Sequence, residues 1–355
     1  MTLPAATTLA DLRALVAKAR EENSQMRARD LAAKLGISEA ELVAAGMGHG
    51  TTRLTGPWSE VLTAVESLGE VMALTRNEGV VHEKVGRYAN MEFGAHGGIV
   101  LNHDIDLRLF LAHWHFGFAA TEDTRSGERR SLQFFNRDGT AVHKIYLREE
   151  SDHAAYDALV ARFCHDDQES LIETSPLPVP AAPVPDDAID RDGFLAAWAS
   201  LKDTHDFFPL LKKHKAGRLQ ALRMAEGRFA ERAPIDAATR VLESAAQSGV
   251  PIMVFAGSRG CIQIHTGPVS RIEPRGPWIN VLDPGFNLHM RADLVAEAWV
   301  VRKPTVDGDV TSVEIYNAAC ELMVQFFGER KPGKAELESW RVLVGEAVLG
   351  RGLAA

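Results

Sequence analysis

The sequence predicts an α+β fold that is a tandem structural duplication, in which each half is a helical segment followed by a large antiparallel β-sheet. In each half the period of the apolar residues changes from the helical value to two, which is typical of helices followed by strands. Residues also match between the halves at a constant spacing of 181: Gly79 with Gly260, Leu107 with Leu288 and Ser131 with Ser312. A spacing this regular indicates an internal repeat.

The first half is expected to begin with helices. Their apolar residues recur at helical period over Leu9 to Asn23, Met26 to Leu35 and Trp58 to Glu70. Ser38 and Glu41 have the spacing of a capping box, which predicts that one more short helix begins there. Antiparallel strands follow, with a hairpin-turn signal at Asn136-Arg137-Asp138-Gly139, and a helix from Asp152 to Phe163 closes the half.

A proline-rich stretch divides the chain. Five of the 16 prolines lie between Ser175 and Asp190, which predicts an extended linker. We therefore expect an N-terminal repeat over residues 1–174, a linker over residues 175–190 and a C-terminal repeat over residues 191–355. We also expect Trp114 to be the repeat counterpart of Trp299, after a four-residue insertion. The groove between two such halves is a natural place for a ligand.

Composition and charge exclude several classes of protein. The 355 residues are 46% hydrophobic and 25% charged, with a net charge of −9, which argues against a broad nucleic-acid footprint. The three cysteines match neither a disulfide framework nor a zinc site and fit a reducing compartment. No secretory signal and no apolar run of membrane-spanning length is present. The sequence predicts a cytoplasmic protein without membrane insertion.

Arg27 to Gly46 imitates a helix-turn-helix motif, with Gly36 at the turn. The second helix would read DNA, yet its sequence SEAELVAAG has two glutamates and no basic or amide side chain for base edges. A helical hairpin packed on a sheet is therefore favoured over a DNA-binding regulator.

Asp192 to Lys212 predicts one helix with a single histidine in its apolar stripe. Phe194, Trp198, Leu201, His205 and Phe208 recur at helical spacing, and Pro209 is expected to end or kink the helix close to the histidine. A histidine in apolar surroundings beside a backbone break suits an iron ligand, but an ordinary core histidine has the same pattern.

Arg108 lies in DLRLFLAHWHF, which predicts one strand with Arg108, Phe110, Trp114 and Phe116 on one face. The guanidinium could stack on aromatic rings or hold an anionic ligand. His113 and His115 share the other face, but without a third ligand nearby, surface or packing roles are favoured over a metal site. Lys303, Arg330 and Lys331 concentrate positive charge near the C-terminus and could pair with carboxylates, although a solvated loop is preferred for Lys331.

Five stretches share a further pattern: LTRNEGVVHEKVG, GCIQIHTGPV, LKDTHDFF, LDPGFNLHMRADLVAEAWVVRKPTVDG and QFFGERKPG. From about Arg29 to Trp340, these motifs resemble the hemin-degrading factor family of bacterial haem-uptake operons, the HemS/ChuS/HmuS type. The resemblance implies a tandem duplication that binds one haem b in a cleft between its halves. His205 matches the proximal iron ligand of that family, and Arg108 matches the arginine on the distal side of the haem.

The same resemblance implies that further residues line the pocket or approach the propionates: Arg218, Phe255, Lys303, Gln325, Phe327 and Arg330. His82 matches a histidine of some relatives, but its part in the site stays open. His214 lies near His205 at a different spacing from the second histidine of some relatives, so its role also stays open.

For function, the resemblance implies haem degradation with iron release, in which Arg108 steers the distal side and an external donor such as NAD(P)H supplies electrons. The alternative is a non-catalytic haem chaperone that delivers haem to a separate haem oxygenase. The implied partners are an inner-membrane haem transporter, a reductase or a haem oxygenase.

Overall fold

The computed structural model describes residues 7–95, 97–124, 127–179, 183–331 and 333–351. The chain divides into two compact units. The first contains residues 1–76, 83–178 and 257–263, and the second contains residues 77–82, 179–256 and 264–355. The predicted linker over residues 175–190 is partly described: it includes a 3-10 turn at Asp186–Ala188, whereas residues 180–182 lie outside the described residues.

The helices and strands come in two series of matching order. In the first series the helices are α1 (Leu9–Glu22), α2 (Ala28–Leu35), α3 (Glu39–Ala44), α4 (Trp58–Val65) and α5 (His153–Arg162). Its strands are β1 (Thr51–Leu54), β2 (Glu70–Arg76), β3 (Val80–Arg87), β4 (Met91–Gly94), β5 (Gly97–Leu101), β6 (Asp106–Leu109), β7 (Phe116–Thr124), β8 (Gly127–Phe135) and β9 (Ala141–Leu147).

In the second series the helices are α6 (Arg191–Ala199), α7 (Phe207–His214), α8 (Arg218–Met224), α9 (Ala237–Ser248) and α10 (Glu338–Leu343). Its strands are β10 (Ala230–Ala233), β11 (Ile252–Gly257), β12 (Cys261–Gly267), β13 (Ile272–Arg275), β14 (Trp278–Asp283), β15 (Phe286–Arg291), β16 (Val295–Thr305), β17 (Gly308–Asn317) and β18 (Leu322–Gly328). No helix of the described residues has the length and apolar character needed to cross a membrane.

The described strands form two nine-stranded sheets with the same order of equivalent strands: β1-β7-β8-β9-β2-β3-β15-β14-β13 and β10-β16-β17-β18-β11-β12-β6-β5-β4. The strand pairs within each series are antiparallel. The predicted α+β duplication is therefore confirmed.

The register of the sheets corrects one predicted equivalence. Phe118 pairs with Gln133 in the first unit, and Trp299 pairs with Glu314 in the second. Both pairs are related by the same spacing of 181, so the counterpart of Trp299 is Phe118. The prediction that Trp114 matches Trp299 after an insertion is wrong, because the spacing continues unbroken through β7 and β16.

The helix-turn-helix look-alike is a helical hairpin whose apolar face packs on the sheet. Leu31 of α2 and Leu42 of α3 share a buried cluster with Phe118 of β7. Gly36 ends α2 in the left-handed conformation with φ 70°, and Ser38 and Glu41 form the predicted capping box of α3. These two signals are local, which is why the sequence places them correctly.

Candidate functional site

His205 lies outside any α-helix. The predicted single helix from Asp192 to Lys212 is wrong: α6 ends at Ala199, a 3-10 turn covers Thr204–Asp206, and α7 begins at Phe207. Pro209 is the third residue of α7, where its missing N–H costs no intrahelical hydrogen bond, so the proline starts a helix instead of ending one. The side chain of His205 is 90% exposed and is not part of an apolar stripe.

Asp203 orients the imidazole of His205. Its carboxylate accepts from the His205 backbone N–H at 2.8 Å and lies 2.6 Å from Nδ1 of the ring. The His205 backbone N–H is the largest of the causes that lower the pKa of Asp203, and the ring adds to it. With Nδ1 donating to this carboxylate, Nε2 carries the lone pair that can bind a metal. The neighbouring side chain of Phe208 is 73% exposed.

A buried carboxylate connects three of the predicted pocket residues. Arg218 donates to both oxygens of Glu314, at 3.0 Å from Nε and 2.8 Å from Nη2. Lys303 donates to Glu314 at 3.0 Å and Gln325 at 2.9 Å. The Tyr316 hydroxyl also donates to Glu314, at 2.6 Å. Arg218, Lys303 and Gln325 are thus brought together, with their polar groups directed at this carboxylate.

The charges of this cluster decide its protonation. Burial alone raises the pKa of Glu314, but the Arg218 and Lys303 cations and their hydrogen bonds outweigh burial and hold that pKa well below its usual value. Glu314 is therefore ionised at neutral pH. Burial lowers the pKa of Lys303, and Glu314 opposes that shift. Two basic side chains therefore share one carboxylate in this cluster.

An aromatic surface adjoins the charged cluster on the same sheet. Phe255 of β11 is opposite Gln325 of β18, and its ring contacts that of Phe327 with centroids 5.0 Å apart. Both rings are half-buried. The buried Phe207 ring, two residues after His205, lies 4.7 Å from the Lys303 ammonium. The second unit therefore carries His205, Phe255, Phe327 and the Glu314 cluster on neighbouring elements.

Arg330 follows β18. Its guanidinium lies 3.8 Å from Asp307 and contributes to lowering the pKa of Asp203. The buried Nε atom of Arg330 meets no hydrogen-bond acceptor among the residues that the structure describes. A buried donor of this kind suits an anionic group of a ligand.

Arg108 belongs to the first unit, and its segment is not one strand. β6 ends at Leu109, a 3-10 turn covers Leu111–His113, and β7 starts at Phe116. The prediction of a single strand with Arg108, Trp114 and Phe116 on one face is therefore wrong. The carbonyl of Gly260 accepts from the Phe110 backbone N–H at 2.9 Å and from the Trp114 ring at 2.9 Å, which holds the break.

The Arg108 side chain is 34% exposed and pairs with Asp106 two residues earlier. Burial raises the pKa of Asp106, and Arg108 opposes the rise. The guanidinium does not stack on an aromatic ring in any of the described contacts.

The remaining histidines are placed differently. His82 is fully buried with its ring 4.9 Å from that of Phe286, and His214 packs against Phe194 at 5.4 Å. His113 and His115 are exposed. Among the described residues, no group of three or more His, Cys, Asp or Glu side chains is arranged to hold a metal ion.

Two residues of the site escape the sequence reasoning. Glu314 is a charged residue inside the apolar strand VTSVEIY. The neighbouring strand carries Lys303, a second charged residue in a buried position. That coincidence is a signal for a buried ion pair. Asp203 precedes His205 by two residues, the spacing of a side chain that caps a turn and orients the following ring.

Comparison with known proteins identifies the family. The family described as "Haemin-degrading HemS.ChuX domain" matches residues 36–163 and 215–347, one match in each half of the chain. The chain belongs to this family. As a member of the haemin-degrading HemS/ChuX family, it is 42% identical over 328 residues to the hemin transport protein HmuS of Yersinia pestis, with 91% of this chain and 93% of the relative covered.

Two solved structures of relatives resemble this family member closely. Holo-PhuS, a heme-binding protein from Pseudomonas aeruginosa, has 47% sequence identity and a TM-score of 0.92, with 94% of this chain and 97% of that chain covered. The heme degrading enzyme ChuS from Escherichia coli O157:H7 has 38% identity and a TM-score of 0.89, with 96% of this chain and 99% of that chain covered.

Proposed function

We propose that this chain binds haem b through His205 in cytoplasmic haem uptake and degrades it to release iron. The observation that carries this proposal is the imidazole of His205, exposed at Nε2 and oriented at Nδ1 by Asp203. A carboxylate behind the imidazole is the usual support of a metal-binding histidine. Membership of the family supports the same assignment, since relatives are named for binding, transporting or degrading haem.

The residues near His205 fit haem as a substrate. Haem is a broad apolar ring with two carboxylates, so its site needs an iron ligand, apolar contacts and fixed positive charge. Phe208 with its exposed ring and the half-buried Phe255 and Phe327 offer apolar contact. The buried Nε of Arg330 is suited to a propionate.

Arg218, Lys303 and Gln325 are proposed to act as a preformed group. Because each donates to Glu314, their side chains are fixed before the substrate arrives. The basic side chains of the cluster would attract the propionates, while the Glu314 carboxylate offsets the repulsion between them. We propose that Arg218, Lys303 and Gln325 form the polar wall of the haem site and that Arg330 contacts a propionate directly.

Bound haem supplies the ring-opening chemistry itself, with electrons from an external donor such as NAD(P)H through a reductase. The chain holds the iron by His205 and fixes the orientation of the ring. Arg108 is proposed as the distal residue. Its guanidinium, held by Asp106, would supply a fixed N–H donor to the bound haem.

A second candidate function is that of a haem chaperone that passes its cargo to a haem oxygenase. The observation that favours it is the 90% exposure of the His205 side chain, because an incoming ligand can reach such an imidazole and replace it. The names of two relatives, a hemin transport protein and a heme-binding protein, agree with this candidate.

Haem binding is tested with His205→Ala and a matched control. His103 is also an exposed histidine, 91% accessible, with Nδ1 2.9 Å from the carboxylate of Asp104. We expect His205→Ala to change the Soret spectrum and weaken hemin binding about tenfold or more, and His103→Ala to match the wild type. An unchanged spectrum and affinity in His205→Ala would refute the iron-ligand assignment.

Degradation and delivery are separated by turnover. Hemin-loaded protein is mixed with NADPH, a reductase and catalase, and the Soret band is followed with released iron and the tetrapyrrole product. Loss of the band with catalase present, slowed in Arg108→Ala, supports degradation. Bleaching that stops when catalase removes peroxide, together with transfer of intact haem to an added haem oxygenase, supports the chaperone.

A further inference from the structure

Four aromatic rings fill the space between the helices and the sheet in the second unit. The Trp198 indole stacks on Phe229 at 5.3 Å and contacts Phe194 at 5.8 Å and Phe207 at 4.6 Å between ring centroids. Its Nε1 donates to the backbone carbonyl of Arg302 at 3.0 Å. Trp198 is thereby fully buried.

Two pairs of hydrogen bonds locate the same positions in the first unit. The Thr121 N–H donates to Gly50 at 2.7 Å as the Arg302 N–H donates to Phe229 at 2.8 Å, so Gly50 stands where Phe229 does. Arg13 Nε donates to the carbonyl of Ala45 at 3.2 Å, and Arg191 Nε donates to that of Met224 at 3.0 Å.

The arginine pair fixes the equivalence of the first helices. Arg20 follows Arg13 by the same number of residues as Trp198 follows Arg191, so both lie on the same face of their helices two turns further on. By the same count Val16 takes the place of Phe194. Among these three positions the first unit has a valine, an arginine and a glycine where the second has aromatic rings.

The smaller side chains leave a cavity of about 380 Å³ in the first unit, which is the size of a small-molecule site. Val16, Ala17 and Arg20 of α1 line the cavity together with Leu42 and Thr51. Further polar lining comes from Thr121 and from His49, Glu122 and Asp123. The equivalent space in the second unit is occupied by the Trp198 ring. The cavity therefore lies where the second unit has the Trp198 indole, and smaller groups surround it.

The acceptor that binds the indole N–H is also kept. Thr121 holds the strand position of Arg302, and the N–H and C=O of one strand residue point to the same side. The Thr121 carbonyl accordingly lies beside Gly50, where a Cβ would come within 2.9 Å of it. The Arg20 side chain is 53% exposed, its guanidinium lies 4.0 Å from the Glu122 carboxylate, and it can reach over the face of a bound ring.

We propose that this cavity binds a planar heteroaromatic molecule of about indole size, whose ring N–H donates to the carbonyl of Thr121. The ring would lie between Val16 and Leu42, and Arg20 would cover it from the solvent side. The site is formed by residues of the first unit and is independent of His205.

Indole is the probe, and its binding to the full-length chain is measured by calorimetry and ligand-observed NMR. We expect a Kd below about 1 mM for the wild type, at least tenfold weaker binding of N-methylindole, and an unchanged hemin spectrum. His205→Ala should bind indole like the wild type. Indole that fails to bind, or binds no better than N-methylindole, would overturn the proposal.

Arg20→Trp tests the location, since it introduces the side chain that fills the equivalent space in the second unit. We expect it to abolish indole binding, and Arg20→Lys to retain it. Should Arg20→Trp fail to fold by circular dichroism, Ala17→Leu narrows the cavity with the residue found at the equivalent Leu195. Indole affinity unchanged in the folded variant would place the ligand elsewhere and refute the site.

Discussion

In each unit an ion pair joins an equivalent short helix to a strand of the sheet, but the two charges are reversed between the units. In the second unit Arg218, the first residue of α8, pairs with Glu314 of the sheet. In the first unit the first residue of α3 is Glu39, which pairs with Arg76 and lies 3.8 Å from the Lys144 ammonium. The duplicated fold thus requires an ion pair here but not a particular direction of charge.

The surroundings of the two ion pairs differ more than the pairs themselves. Lys144 and Tyr146 take the positions of Gln325 and Phe327, and both are buried, with the Arg129 guanidinium 5.0 Å from the Tyr146 ring. The positions of Phe255 and Phe327 are held by Leu74 and Tyr146 in the first unit, and Arg129 lies over the Tyr146 ring, so the aromatic surface of the second unit is not repeated. At the spacing of 179 that relates Arg218 to Glu39, His205 corresponds to Met26, so the first unit has no imidazole at this position. We expect one haem site per chain.

The largest expected difference between the units concerns the carboxylates. Glu314→Gln leaves two buried cations without their counter-charge, so we expect the free energy of unfolding to fall by about 3–5 kcal/mol. Urea unfolding at pH 7 measures the loss. The matched control Glu39→Gln, at a site with slightly more solvent, should cost about 2 kcal/mol. Equal losses in the two variants would contradict the proposed difference.

Acid should destabilise the first unit through a buried histidine whose position in the second unit holds no titratable group. The buried His143 lies 2.8 Å from the Thr75 hydroxyl and hydrogen-bonds to Tyr88, whereas the equivalent position in the second unit is the apolar Val324. Burial lowers the pKa of His143 to about 3. The folded histidine therefore stays unprotonated, while the unfolded one binds a proton below its ordinary pKa. The free energy of unfolding consequently decreases as the pH is lowered from about 6.5 to about 3.

We expect a loss of about 2 kcal/mol between pH 6.5 and pH 5 from this residue. Hydrogen exchange should reveal faster opening of β9 than of β18 at pH 5. In His143→Gln, which cannot titrate, the slope of stability against pH should flatten. A wild-type slope of stability against pH no steeper than that of His143→Gln would argue against the assignment.

The smallest effect is expected from Lys144→Gln, which gives the first unit the residue of the second. Burial is the main cause that lowers the pKa of Lys144 to about 8, and Glu39 opposes it. Between about pH 8 and 10.5 the unfolded lysine keeps a proton that the folded one has lost, so this residue makes stability rise with pH. The variant should lose that rise while its stability at pH 7 changes by no more than about 1 kcal/mol. Identical pH profiles would count against a buried, perturbed lysine.

The sequence predicts the architecture well because, in a repeat, each sequence signal occurs once in each half. The spacing of 181 that joins Ser131 to Ser312 holds through the pairing of β7 with β8 and of β16 with β17, and the Ser38 capping box and Gly36 turn are local features. The sequence matches Trp114 with Trp299 because both are tryptophans. The strand register instead makes Phe118, a different large aromatic residue, the counterpart of Trp299.

The candidate site is harder to predict because its contacts are long-range. The apolar spacing around His205 imitates one helix, but the Asp203 cap and the position of Pro209 divide the segment in two. Lys303 and Arg218 look like cations available to a ligand until the fold brings Glu314 between them. Only the pairing of β16 with β17 reveals that neighbour.

The reversed ion pair has a consequence for how the two copies can evolve. An exchange that placed the α8 sequence in the position of α3 would bring Arg218 to Arg76 and Lys144, three like charges without a carboxylate. The reciprocal exchange would confront Glu39 with Glu314. Recombination between the two copies would therefore yield hybrids that fold poorly, because each short helix carries the charge that suits only its own sheet.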